Sequence, residues 1–228
     1  MACADMWTYR LRYSKVGRIR FISHLDVMRA LKRALHRADV PVAYTAGFNP
    51  RPRISMGPPL PLGYESMYEL ADIVLEEMLS PHALRERLGG ALPEGLDLVE
   101  TAWVPKTPRL SDATSACYMI ELPEGTISET AEQLTAEFMS KESALVERVR
   151  ERETRVVDVR RFVRDAELRA EGGSLWLWME ISLGQQGTCN PSEVIQAVCD
   201  MAPDAARCLR VKRTEIKFGA DPFSGDNR

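Results

Sequence analysis

The hydrophobic and polar positions alternate strictly at the start of the chain. Trp7, Tyr9, Leu11 and Tyr13 fall on one side, with Thr8, Arg10 and Arg12 on the other. Period two predicts a half-buried strand. Ser14 to Gly17 is turn-like, and Arg18–Ile22 reads as a second short strand or an extended approach to a helix. The period then changes to that of a helix. Leu25, Met28, Leu31, Leu35 and Ala38 form an apolar stripe, with Arg29, Lys32, Arg33, His36 and Arg37 opposite. Ser23 is placed to cap this helix, and Asp26 stands where a capping-box acid belongs. Asp39-Val40-Pro41 ends it, because proline disfavours α for the residue before it. Val42–Tyr44 is a candidate short strand.

Gly47–Ser66, GFNPRPRISMGPPLPLGYES, breaks the periodicity. It holds five of the fourteen prolines and three glycines, a spacing that neither a helix nor an interior strand tolerates. Phe48, Ile54, Met56, Leu60 and Leu62 want burial, so a stiff, packed loop is expected instead of a linker. Such a loop holds Asn49, Arg51 and Arg53 in fixed positions. Regular patterns resume with a strand at Tyr68–Leu75. A helix follows, opened by Ser80-Pro81 and closed at Gly89-Gly90, and then a strand at Leu96–Val104.

Pro105 to Ser115 is polar and proline-containing, a natural domain boundary. A second cycle follows: strand Cys117–Leu122, helix Ser128–Met139 capped by Ser128, and strand Ala144–Val149. Val156–Ala170 is ambiguous. Gly172-Gly173 makes a turn before strand Leu175–Ser182, a helix is capped by Asn190-Pro191, and Arg210–Phe218 is a last strand. Each half thus reads β-α-β-β-α-β, which predicts an α+β protein of two tandem ferredoxin-like domains. Their expected extents are residues 1–110 and 111–219, with 220–228 a disordered tail.

Composition narrows the function classes. The chain has 228 residues, 45% hydrophobic and 28% charged, as in a globular protein. It has no apolar run approaching the ~18 residues of a membrane span. The N-terminus lacks the features of a signal peptide, so a cytoplasmic protein is expected. Five cysteines without a C-x-x-C and three histidines indicate no bound metal, iron–sulfur centre or disulfide framework. Charge is uneven. Residues 1–60 carry eleven Lys/Arg against three acids, a net +8, and residues 61–140 carry four against fifteen, a net −11. Two accounts stay open: an anionic partner for the basic segment, or neutralisation by the acidic one within the fold.

FISHLD at 21–26, the helix after it, GFNPRPRIS at 47–55 and GPPLPLGYES at 57–66 resemble the signature of a bacterial family. NPSEV at 190–194 and RVKRTEIKF at 210–218 add a weaker likeness. The family is the radical-SAM-linked domain of unknown function, found beside or fused to radical SAM proteins of the B12-binding-like type. The resemblance implies a radical SAM protein as partner, carrying the iron–sulfur cluster and S-adenosylmethionine that this chain is not expected to bind. Its genes tend to lie near those of ribosomal proteins and an RNA-degrading enzyme, which implies an RNA context such as tRNA or rRNA modification.

The residues offer a matching chemistry. Ser23 and His24 at a helix start, with Arg29 and Arg33 beyond, suit an anion. Asn49, Arg51 and Arg53 offer planar forks for phosphate, and Phe48 or Tyr64 a stacking surface for a base. Each has a structural alternative. Ser23 and Asp26 cap a helix against which His24 packs, and the two loop arginines pair with Glu65, Glu69 or Asp72. Trp176 and Trp178 share a strand face, as a stacking platform or as buried core. His24 is the one candidate for acid–base work on a ribose hydroxyl. That would make the chain a metal-free endoribonuclease, comparable with the paired ferredoxin-like CRISPR repeat-processing enzymes, whose Gly-rich element lies in the other half. A non-catalytic positioning partner, such an endonuclease and a purely structural protein–protein module are the three functions to separate.

Overall fold

The computed structural model describes residues 6–104, 108–150, 153–184 and 187–223. The chain divides into two compact units, residues 1–113 with 218–228, and residues 114–217. Both are α+β, with mostly antiparallel sheet. None of the helices among the described residues is long and apolar enough to cross a membrane.

The first unit contains β1 (Trp7–Lys15), α1 (His24–Arg37), β2 (Ile54–Met56), β3 (Glu65–Leu75), α2 (Pro81–Gly89) and β4 (Leu96–Trp103). The strand order is β4-β1-β3 with the short β2 on the other edge of β3, and every pairing is antiparallel. Alternation along β1 sends Tyr9, Leu11 and Tyr13 into a core with Val27, Leu31 and Leu35 of α1 and Leu84 and Leu88 of α2. Arg10 points to the opposite face. There it is buried against Asp72, with Nε and Nη2 donating at 2.7 and 2.8 Å, and Nη1 and Nη2 also donate to the Pro222 and Pro108 carbonyls.

The helix is turned from its predicted phase. Val27, Ala30, Leu31, Ala34 and Leu35 are buried, whereas Leu25 is exposed. Ala30 and Ala34 carry little weight in an apolar stripe, but their small side chains leave room for the helix to close onto the sheet. Arg18–Ile22 is no strand either. Gly17–Phe21 forms a 3-10 turn, entered through Gly17 at φ 71°. One local and one distant charge hold it: the buried Lys15 ammonium donates to the Arg20 and Ile22 carbonyls, and the Glu65 carboxylate accepts the Gly17 N–H.

The Gly/Pro segment also departs from expectation. Val42–Tyr44 makes only isolated bridges, Val42 to Leu75 and Tyr44 to Pro52, while Ile54–Met56 within the segment is the strand. Between them the chain doubles back: Arg53 N–H donates to the Ala43 carbonyl and Thr45 N–H to that of Arg51. Leu60 is buried, but Phe48 at the tip is fully exposed and Leu62 largely so. The segment is therefore a projecting hairpin followed by a packed stretch, not one packed loop. The C-terminal segment is held as far as Pro222 by Arg10, and the rest of the expected tail, 224–228, lies outside the described residues. The predicted boundary at Pro105–Ser115 falls partly outside them too, at 105–107.

The second unit runs β5 (Ala113–Glu121), α3 (Ser128–Ser140), β6 (Leu145–Arg150), β7 (Glu153–Asp158), β8 (Val163–Glu171), β9 (Ser174–Ser182), α4 (Pro191–Cys199), α5 (Pro203–Cys208) and β10 (Val211–Phe218). Its sheet order is β10-β5-β9-β8. The β5/β9 and β8/β9 pairs are antiparallel. The predicted strand at 144–149 does not join this sheet. It pairs with β7 as a separate hairpin, and β8 takes the place in the sheet. Ambiguity over 156–170 is resolved by Asp158, whose Oδ1 accepts from Ala144 N–H and Arg160 N–H at a 3-10 turn between β7 and β8. Ser128 is the first helical residue of α3 and Ile127 its N-cap, so the expected hydroxyl cap is not made. The helix α5, six residues long, has too short a pattern to announce itself.

Candidate nucleic-acid interface

Most of the basic charge in residues 1–60 is accounted for within the first unit. Arg10 pairs with Asp72, Arg12 with Glu100, Arg20 with Glu65 and Arg29 with Asp26. Lys15 and Arg37 donate to backbone carbonyls. Five cations, Arg18, Lys32, Arg33, Arg51 and Arg53, meet no carboxylate among the described residues. Internal neutralisation therefore explains part of the asymmetry and leaves a defined remainder.

Two of the remainder line one groove. It is lined by Lys32, Arg33, Leu35 and His36 of the helix, by Asp39, Val40 and Val42 after it, and by the bridged pair Tyr44 and Pro52, around about 290 Å3. The sequence creates it locally. Asp39 at φ 49° turns the chain out of α1, with the Val40 N–H returning to the Leu35 carbonyl. An acid is among the few side chains that accept that conformation. The backbone bridge from Tyr44 to Pro52 then carries the hairpin back past the last turns of the helix. Arg51 precedes Pro52, is exposed, and has no side-chain partner among the described residues. Asn49 is exposed on the tip. Arg53 leans away, with Nη1 2.9 Å from Met6 Sδ. Neither loop arginine takes the acids expected for it. Asp72 is held by Arg10, and Glu65 by Arg20 and Gly17.

His24 and Ser23 lie elsewhere. His24 is the first residue of α1 and Ser23 its N-cap, accepting from Asp26 N–H at 3.2 Å while donating to Asp26 Oδ2 at 2.6 Å. The Ser23 hydroxyl, and then Arg29, hold the Asp26 carboxyl below the usual carboxylate range. Ser23 and Arg29 are thus committed to the cap. His24 and His36 are twelve residues apart on one helix, about 18 Å along its axis. The two parts of the Gly/Pro segment meet opposite ends of α1. The Gly63 N–H donates to the Arg20 carbonyl before the helix start, while Pro52 faces the helix end. His24 and the loop arginines therefore lie towards opposite ends of α1. Lys32, His36 and Tyr44 line the groove instead. Sequence reasoning put the first two on a solvated helix face and missed the groove, because the hairpin that completes it is a tertiary feature.

The other candidates carry less. Trp176 is buried beneath the Lys212 ammonium, 4.0 Å from its ring centre, and Arg169 lies 4.4 Å over Trp178. Trp176 is therefore packed and is no open stacking platform. Burial pushes the Cys117 thiol up to about 11 and raises those of Cys189 and Cys199, which disfavours the thiolate at all three. No group of three or more His, Cys, Asp or Glu among the described residues is placed to hold a metal ion.

The fold and groove together define an α+β protein with a groove whose two cations, Lys32 and Arg33, meet no carboxylate among the described residues. The chain belongs to the family described as "Uncharacterized protein conserved in bacteria (DUF2344)", whose profile matches residues 8–216. No curated protein matches it. Among solved structures, a chain from "Crystal Structure of a Cbf5-Nop10-Gar1 Complex" is similar at 12% identity and a TM-score of 0.46, over 91% of this chain. This chain covers 48% of that one, about half its length. Another, "Crystal Structure of an Unknown Protein from Galdieria sulphuraria", is similar at 12% identity and a TM-score of 0.28, covering 95% of this chain and all of that one.

Proposed function

We propose that this protein is a non-catalytic RNA-binding module that positions tRNA or rRNA for a radical SAM protein, which supplies the cluster and S-adenosylmethionine. The observation that carries the reading is a set of unpaired cations: Lys32 and Arg33 line the groove, Arg51 adjoins its Pro52, and none of the three meets a carboxylate among the described residues while neighbouring arginines are paired. Unpaired cations at and beside a groove raise affinity for a phosphodiester chain. The strand orders β4-β1-β3-β2 and β10-β5-β9-β8 support reading both units as ferredoxin-like, with the β6–β7 hairpin inserted in the second. The signature segments at 21–26, 47–55 and 57–66 support the radical SAM partner by resemblance alone. Modification of tRNA or rRNA is cytoplasmic work. His24 lies a helix length from the basic groove, which counts against cleavage by His24 of a strand bound there.

The test is affinity purification of the full chain from its own bacterium, with co-eluting protein identified and RNA sequenced. Wild type is expected to bring down a radical SAM protein and a defined RNA. The Lys32→Ala/Arg33→Ala/Arg51→Ala variant keeps the protein and loses the RNA at least ten-fold. Equal RNA recovery at matched salt would refute the binding role, and recovery of no radical SAM protein would refute the partnership. RNA cleavage that His24→Ala abolishes without loss of binding would make the chain an enzyme instead.

A further inference from the structure

Resting on the RNA-binding reading, we infer that the groove between the end of α1 and the Tyr44–Pro52 bridge holds one unpaired nucleotide of a single strand. In this arrangement the base stacks on Tyr44 and its flanking phosphates lie on Lys32 and Arg33.

Three observations set the occupant. The groove is concave and small, about 290 Å3, so it admits a base and not a duplex. An A-form helix keeps its bases stacked inside and offers a concave site only its backbone. The walls differ in chemistry. Lys32 and Arg33, without partners among the described residues, stand on the helical side. Tyr44 and Pro52, joined by a backbone bridge, line the same groove with Val40 and Val42. A nucleotide has the same division, an anionic edge and a flat apolar base. Asp39, which also lines the groove, repels a phosphate and so disfavours one beside it.

Tyr44 is prepared for stacking. It is 55% exposed, while its backbone is fixed by the bridge to Pro52 and by neighbouring hydrogen bonds from Ala43 N–H to Val74 and Thr45 N–H to Arg51. A backbone already held in place adds no ordering cost of its own when a base arrives. Phe48, fully exposed at the hairpin tip, is not part of the groove and is not required for this contact.

The experiment is fluorescence anisotropy of the full chain with labelled single-stranded RNA 12-mers, a blunt 12-base-pair RNA duplex and a poly-glutamate peptide, over a salt series. The single strand is expected to bind at least ten-fold tighter than the duplex. Tyr44→Ala weakens single-strand binding about ten-fold with the salt dependence unchanged, and Tyr44→Phe restores it. Lys32→Ala/Arg33→Ala lowers the slope of log K against log salt by roughly 1.4, about 0.7 per phosphate. Unfolding midpoints of the Tyr44 variants, equal to wild type, show that the ring and not the fold is lost. If Tyr44→Ala binds as wild type does, or the duplex binds as tightly as the single strand, this inference is wrong while the broader RNA role stands. If poly-glutamate competes as well as RNA, or no RNA binds, both fall.

Discussion

Asp72→Ala tests how the first unit is tied together. The Arg10 guanidinium is 2% exposed and makes four hydrogen bonds, two of them to Asp72 and one each to the Pro108 and Pro222 carbonyls. Without the carboxylate its charge stays buried with only two neutral acceptors. Breaking such a pair from one side costs about 3–5 kcal/mol, a large share of the roughly 5–15 kcal/mol that holds a domain folded. At a urea dependence near 2 kcal/mol per molar, the midpoint should fall by roughly 1.5–2.5 M. Tryptophan fluorescence reports it, because Trp7 and Trp103 of this unit lie 5.9 Å apart on strands beside Arg10. Far-UV circular dichroism followed in parallel shows whether the second unit unfolds separately. Arg10→Met/Asp72→Leu should cost less than Asp72→Ala, since it leaves no orphaned charge. A shift below 0.5 M for Asp72→Ala, or a double variant worse than the single, would refute the reasoning.

Three further outcomes follow from particular contacts. Ser23→Ala should cost about 1 kcal/mol in thermal or urea unfolding, and raise the Asp26 titration seen by NMR, since the Ser23 hydroxyl is the largest cause of its depression. Gly95→Ala should destabilise by roughly 1–3 kcal/mol, because Gly95 sits at φ 85° and a Cβ would stand 2.5 Å from the Val16 carbonyl oxygen. The third concerns pH. Burial pushes the Glu180 carboxyl up, but hydrogen bonds from Lys217 and Ser115 outweigh it and the net shift is downward, while Glu180 raises Lys217. The Glu180 contribution is complete above the unfolded value of about 4.3 and fades as pH falls through the lowered folded value. That of Lys217 is complete below about 10.4 and fades as pH rises through the raised one. Glu180→Gln should therefore flatten both limbs of the stability profile between pH 3 and 11. Unchanged limbs in a series of melts would rule the pair out as a source of pH dependence.

The chain pattern alone determined the elements whose reasons are local. The alternation of β1, the Ser23 cap, the Ser80-Pro81 start of α2 and the Asn190-Pro191 start of α4 all stand as the residues indicate. A strand face or a cap depends on neighbours two to four positions away, and those are written in order. The tertiary structure decided whatever depends on partners far along the chain. The turn at Gly17–Phe21 owes its shape to Glu65, 48 positions from Gly17. The phase of α1 is set by the sheet it covers, which favours small Ala30 and Ala34 over larger Leu25 and Met28. Which cations meet no carboxylate among the described residues was equally hidden, since the pairing that takes Asp72 from Arg51 joins it to Arg10, 62 positions away. The basic charge was legible in the sequence. The groove at Lys32, Arg33 and Tyr44 arises only when the Gly/Pro segment folds back against the end of the helix.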